Sequence, residues 1–114
     1  MKCLDYAKIE GTAVDDPKAK GATMRIAAGP DDGAPNFIMR VFTVAPGGHS
    51  PRHLHGFEHE IFFYQGSAEV YCDGETCRVG PGFAAYVPPN VEHQIINDGS
   101  ADLVFVCVIP RNVG

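Results

Sequence analysis

From Ala22 onward the chain is written in short apolar runs cut by turn residues: ATMRIA, GPDDGAP, NFIMRVFTV, APGGHSP, EIFFYQ, Gly66, SAEVYC, Asp73-Gly74, TCRV, GPG, FAAYV, PPN, EHQII, NDGS and LVFVCVI up to Pro110. Runs of this length bounded by Gly, Pro, Asn and Asp predict strands, about nine of them. No stretch of helical length carries apolar residues at i, i+3, i+4 and i+7 without a glycine or proline inside it, so long helices are not expected. The pattern predicts an all-β domain, a sandwich or a barrel, over residues 24–114, with residues 1–23 as a polar N-terminal arm on or near it. EIFFYQ and LVFVCVI are apolar at odd and even positions alike, which predicts strands covered on both faces. In so short a chain the second cover is expected to be another copy, hence a homodimer.

The 114 residues make one domain and leave no room for a second core. Thirteen glycines and nine prolines are scattered between the runs, which suits many turns. Nine basic residues against 14 acidic ones, with no basic stripe, argue against nucleic acid as a partner. No apolar run approaches the ~20 residues of a membrane helix, so no membrane partner is expected. The N-terminus MKCLDYAKIEG has no apolar core of a secretory signal, and the expected compartment is the cytoplasm. Cys3, Cys72, Cys77 and Cys107 are accordingly expected as reduced thiols. Cys72 and Cys77 flank the turn Asp73 to Thr76, where a disulfide under oxidising conditions is allowed but not required.

Four of the five histidines, His49, His53, His55 and His59, fall within HSPRHLHGFEH. His53 and His55, two apart in extended chain, project from one face, a metal-ligand spacing. His59 keeps their parity across the turn Gly56 to Glu58, and His93 opens EHQII and is expected to deliver a further ligand from across the barrel. Surface histidines, a tag remnant or core histidines are the bland readings. A tag is terminal and consecutive, and buried histidines occur singly, so the cluster favours one divalent transition metal per chain: zinc, copper, nickel, iron or manganese. His49, before Pro51 in a loop, is expected to be solvated. Since ligating imidazoles are neutral, metal affinity is expected to fall below about pH 6.

The spacing resembles a small single-domain cupin. That family's first motif, G-x5-H-x-H-x(3,4)-E-x6-G, is matched by Gly47, His53, His55, His59 in the glutamate's place, and Gly66. Its second, G-x5-P-x-G-x2-H-x3-N, is matched by Gly82, Pro88, Asn90 in the second glycine's place, His93 and Asn97. The resemblance implies a double-stranded β-helix or jelly-roll barrel and a metal site made by the motif histidines. Glu60 is an alternative carboxylate ligand, but His59 satisfies both motif gaps and the parity of His55. The resemblance then implies an all-histidine site that keeps the full dipositive charge of its ion and attracts anionic or enolisable small molecules. Asn90 tolerates left-handed backbone and should preserve the turn.

Arg40, inside NFIMRVFTV, is a candidate clamp for a substrate carboxylate, with a structural ion pair or an edge-strand charge as the alternative. Phe105 and Cys107 share one face of LVFVCVI and are candidate pocket walls or plain core. The resemblance implies a metal enzyme, with dioxygen-dependent chemistry expected ahead of a metal-assisted isomerase or lyase of sugar acids, because no acid-base residue is visible. A metal- or ligand-binding module without turnover is the alternative from another class.

Overall fold

Nine strands form, all paired antiparallel, in a computed structural model that describes residues 1–111. They are β1 (Thr12–Ala13), β2 (Lys20–Ala28), β3 (Phe37–His49), β4 (His59–Gln65), β5 (Ala68–Cys72), β6 (Glu75–Val79), β7 (Ala84–Val87), β8 (His93–Ile96) and β9 (Leu103–Pro110). Only two 3-10 turns, Tyr6–Lys8 and Pro30–Asp32, interrupt the all-β pattern among the described residues. Residues 112–114, placed at the end of the barrel by the sequence pattern, lie outside the described part.

The sheet runs β6-β5-β8-β3-β9-β4-β7, with β2 also on β3 and β1 on β2. Its curl comes from β3, whose first residues lie between β2 and β9 and whose last, His49, pairs with Ile96 of β8. The apolar pattern ends β3 at Val44, yet the strand continues through Pro46. Proline is tolerated there because β9 has already ended opposite Val44, and Gly47 and Gly48 pair with Asn97 instead. Gly48 permits this crossing: a Cβ on it would meet the Lys20 carbonyl oxygen at 2.5 Å. Both β1 and the first residues of β2 fall within residues 1–23, so the expected arm is partly stitched onto the sheet.

Cross-strand register aligns the inward rows. Arg40, Cys107, Ile61 and Ala85 form one row, and Phe42, Phe105 and Phe63 the next. Phe63, Leu103, Val44 and Val87 are fully enclosed, each contributing about 1.5–3 kcal/mol by leaving water. Asn97 sits among them with no exposure, its amide nitrogen donating to Val44 O (2.8 Å) and Ala101 O (2.9 Å) and its oxygen accepting from Gly99 N (3.0 Å). A buried asparagine so satisfied ties β3 to the β8–β9 turn. Asn90 adopts φ +64°, the left-handed turn position the sequence reading assigned to it.

The outward rows are not covered by the described residues. Phe62, Tyr64 and Tyr86 are about half exposed, beside partly exposed Val106 and Val108. Within the single chain the core covers the inner face, and the expected second cover is that of another copy.

Cys72 and Cys77 are free thiols, and the register sets Cys72 opposite Glu75 and Cys77 opposite Val70, so the two are offset across the hairpin rather than directly facing.

Candidate metal centre

Backbone geometry brings the motif histidines together from three places. His53 and His93 pair through reciprocal backbone hydrogen bonds (3.2 and 3.0 Å), an isolated bridge that draws the segment before β4 against β8. His55 follows two residues on and returns to the same side. His59 begins β4, where burial alternates: His59, Ile61 and Phe63 face in, while Glu60 and Phe62 face out. Glu60, the alternative ligand, is exposed and hydrogen-bonded to Glu58, which raises its carboxyl above the usual range.

Ring nitrogens of His53, His55 and His93 all lie within 4.8 Å of one another. Those of His55 and His59 approach more closely, Nε2 to Nε2 at 2.6 Å. The rings' other nitrogens are engaged: His55 Nδ1 with Phe57 O (2.9 Å), His93 Nδ1 with Val91 O (3.0 Å) and His59 Nδ1 with Cys107 Sγ (2.8 Å). With Nδ1–H donating to carbonyl oxygens, His55 and His93 present Nε2 lone pairs to the cluster, the arrangement metal-binding histidines use. The His55 and His59 Nε2 lone pairs, at 2.6 Å, repel unless a shared proton or a cation bound by both offsets them. The donor set thus fits a divalent transition ion: several neutral imidazoles, convergent, with their outer Nδ1–H groups already engaged and their Nε2 lone pairs free.

Burial lowers the His53 and His55 imidazoles below their ordinary 6.5, helped by neighbouring rings, although the Phe57 carbonyl partly offsets this for His55. His59, the most enclosed of the three, is pulled down to about 3, chiefly by burial and then by His55 and Arg40. This revises the expected pH dependence. Protons displace a metal only below the pKa of the ring they bind, so depressed values move the loss to more acid conditions. Metal retention is expected to decline across the window from 6.5 to about 3, with its midpoint on the acid side of pH 6. Metal content after equilibration at stepped pH reads this directly, and a midpoint above pH 6 would contradict the depressed values.

The cluster forms one wall of a cavity of about 280 Å³ whose lining includes all four histidines, Arg40, Phe42, Phe57, Ile61, Phe105 and Cys107. Arg40, Phe105 and Cys107 are therefore both barrel interior and cavity wall. Cys107 is fully enclosed, and burial holds its thiol above the usual range against the pull of Arg40. Arg40 forms no ion pair with a carboxylate among the described residues, against the structural-pair alternative. His49 lines no part of the cavity and is held by Ser50 O and Gln94, half-buried rather than solvated.

Three lining residues had no signal in the sequence: Val14, Asp15 and Asp16, from the stretch between β1 and β2. Asp16 is half-buried, accepts from Lys18 N at 2.8 Å and lies close enough to His53 to act on its charge.

Residues 40–109 match the cupin domain model. The chain belongs to the cupin domain family. Among solved structures it resembles the polyketide cyclase RemF from Streptomyces resistomycificus at 32% identity and TM-score 0.92, over 99% of this chain and 81% of that one. It also shares its fold with a predicted oxalate decarboxylase from Thermotoga maritima (18%, TM-score 0.85, 96% and 98% covered). KdgF from Halomonas sp. is a further fold match (20%, TM-score 0.80, 96% and 94% covered). No curated protein matches. No helix among the described residues is long and apolar enough to cross a membrane.

Proposed function

We propose that this cupin is a mononuclear metal enzyme that closes a ring in a small enolisable polycarbonyl compound. His53, His55, His59 and His93 are its ligands, and it takes one divalent transition ion per chain from iron, manganese, nickel, copper or zinc. The carrying observation is the convergence of imidazoles on the wall of a cavity whose remaining lining is largely aromatic and aliphatic. At about 280 Å³ it is at the small end for ligand pockets, suited to a compound of one or two rings. The 32% identity to a polyketide cyclase supports the same substrate class.

A divalent ion held there supplies Lewis-acid polarisation of carbonyl oxygens. The chain supplies the rest. Phe42, Phe57 and Phe105 exclude water and stack the apolar body of the substrate. Asp16 takes a proton from the carbon between two carbonyls, the resulting enolate carbon bonds to a third carbonyl carbon, and Asp16 returns that proton to the new alkoxide. It then takes a second proton from the same carbon and passes it to the departing hydroxide, which leaves as one water. A sugar acid would leave its hydroxyls unpaired against these aromatic walls, which counts against the isomerase or lyase of sugar acids.

Dioxygen-dependent oxidation of the same substrate class is the second reading, favoured by an all-imidazole set that also suits iron, manganese and copper. Metal-free protein reconstituted separately with the five metals and given triketide and diketide thioesters, diketones, catechols and sugar acids distinguishes these readings. Ring closure is expected with zinc as well as redox metals, releasing one water and consuming no oxygen. Oxygen uptake matched to product and inactive zinc protein would establish the oxidation instead, and bound metal without turnover of any compound would leave a binding module. Asp16→Asn is expected to lower kcat by about 100- to 10,000-fold.

A further inference from the structure

His55 and His93 anchor their outer nitrogens on backbone carbonyls only two residues away, Phe57 O and Val91 O. His59 is held differently. Its Nδ1 meets the Cys107 sulfur at 2.8 Å, a partner 48 residues distant and on another strand. The same sulfur accepts a hydrogen bond from Arg40 Nη2 at 3.3 Å. Arg40 on β3 and Cys107 on β9 are direct partners in the strand register, so the sheet ladder itself builds this contact. Among the described residues the Arg40 side chain makes no other hydrogen bond or ion pair: its Nε is buried and unpaired, and its guanidinium lies 5.0 Å over the Phe42 ring.

We infer that Arg40 and Cys107 are positioning residues for His59, the sulfur fixing the ring through Nδ1 while Arg40 fixes the sulfur, so that Nε2 faces the cluster. The inference rests on the reading that these histidines hold a metal. A thiol is a weak and freely rotating acceptor. Clamped by a guanidinium on a neighbouring strand, it takes the place that a backbone carbonyl or carboxylate holds behind most metal-binding histidines, where loss of the partner costs about 10- to 100-fold in metal affinity. This also gives the unpaired guanidinium a place in the site: its contact is the sulfur behind the ligand rather than an acid.

Zinc affinity by competition with a chromophoric chelator, and the ligand-field spectrum of the cobalt-loaded protein, test the assignment without any substrate. Cys107→Val keeps the volume and removes the acceptor, and it is expected to weaken zinc by about 10- to 100-fold and shift the cobalt bands. Cys107→Ser restores an acceptor and should recover most of the affinity and the wild-type bands. Arg40→Met separates positioning from charge. Removing a positive charge near a cation would strengthen zinc binding by electrostatics alone, whereas loss of the clamp weakens it. Wild-type affinity and spectrum in Cys107→Val, or tighter zinc in Arg40→Met, would overturn the proposal. Should the valine variant be unfolded by circular dichroism, Cys107→Ala is read in its place. His53→Ala/His55→Ala is measured alongside: retention of zinc there defeats the metal centre itself, while loss there with an unaffected Cys107→Val defeats the positioning role alone.

Discussion

Stoichiometric metal in the wild-type chain is expected to be lost, with affinity falling by more than about 1,000-fold, when His53 and His55 are both replaced by alanine. Structural zinc sites in small domains carry roughly 10–16 kcal/mol of binding free energy, and on that scale removing half of the proposed donors takes away several powers of ten. The two residues are suited to the test because their side chains are half-buried at the cavity and neither belongs to the enclosed core, so the barrel should survive their loss. Only the ring of His53 is deleted, and the backbone bridge to His93 is kept. Elemental analysis of untagged protein and thermal unfolding with and without added zinc read the outcome together. Wild type should be stabilised by about 4 kcal/mol when free metal exceeds its dissociation constant a thousandfold, and the double variant should not be stabilised. Metal retained at one ion per chain by the double variant would remove the assignment.

Phe62→Glu is expected to convert a dimer into a monomer. The proposed interface is the outer face of β3, β9, β4 and β7, where Phe62, Tyr64 and Tyr86 stand beside Val106 and Val108. Phe62 is 49% exposed and Tyr86 58% exposed in the single chain, an apolar surface that water covers poorly. The strand pattern explains why: β4 and β9 carry apolar residues on both faces, and only the inner face meets the barrel core. In a two-fold interface every substitution occurs twice, so a glutamate at the centre buries two unpaired charges and adds to the outward Glu60 already there. Dissociation should strengthen by more than about 100-fold, while the metal content stays that of wild type. Sedimentation equilibrium at micromolar concentration decides the point: twice the chain mass is expected for wild type and the single mass for Phe62→Glu. A wild-type protein that sediments at the single mass would rule the dimer out.

What the sequence by itself determined is what depends on neighbours along the chain. Strand and turn alternation follows from period-two burial and from the backbone demands of Gly, Pro and Asn, and β2 to β9 lie where the apolar runs stand, while β1 falls in the polar arm. Asn90 in the left-handed region is local in the same sense, as is the inward face shared by His59, Ile61 and Phe63, which sends Glu60 outward. The tertiary structure decided what depends on closure. Val14 to Asp16 read as a featureless polar stretch, because nothing local says that β1 pairs with β2 and carries them to the cavity. Likewise β3 runs on through Pro46, against the local rule, because one of its partners changes there from β9 to β8 while β2 stays beside it. The contact of Arg40 with Cys107 joins residues 67 apart and exists only through strand register, and through it the sulfur meets His59. The depressed imidazoles have the same origin, since their cause is desolvation by a curled sheet, and the charge a residue carries in water is no guide to its cost once walls from five strands surround it.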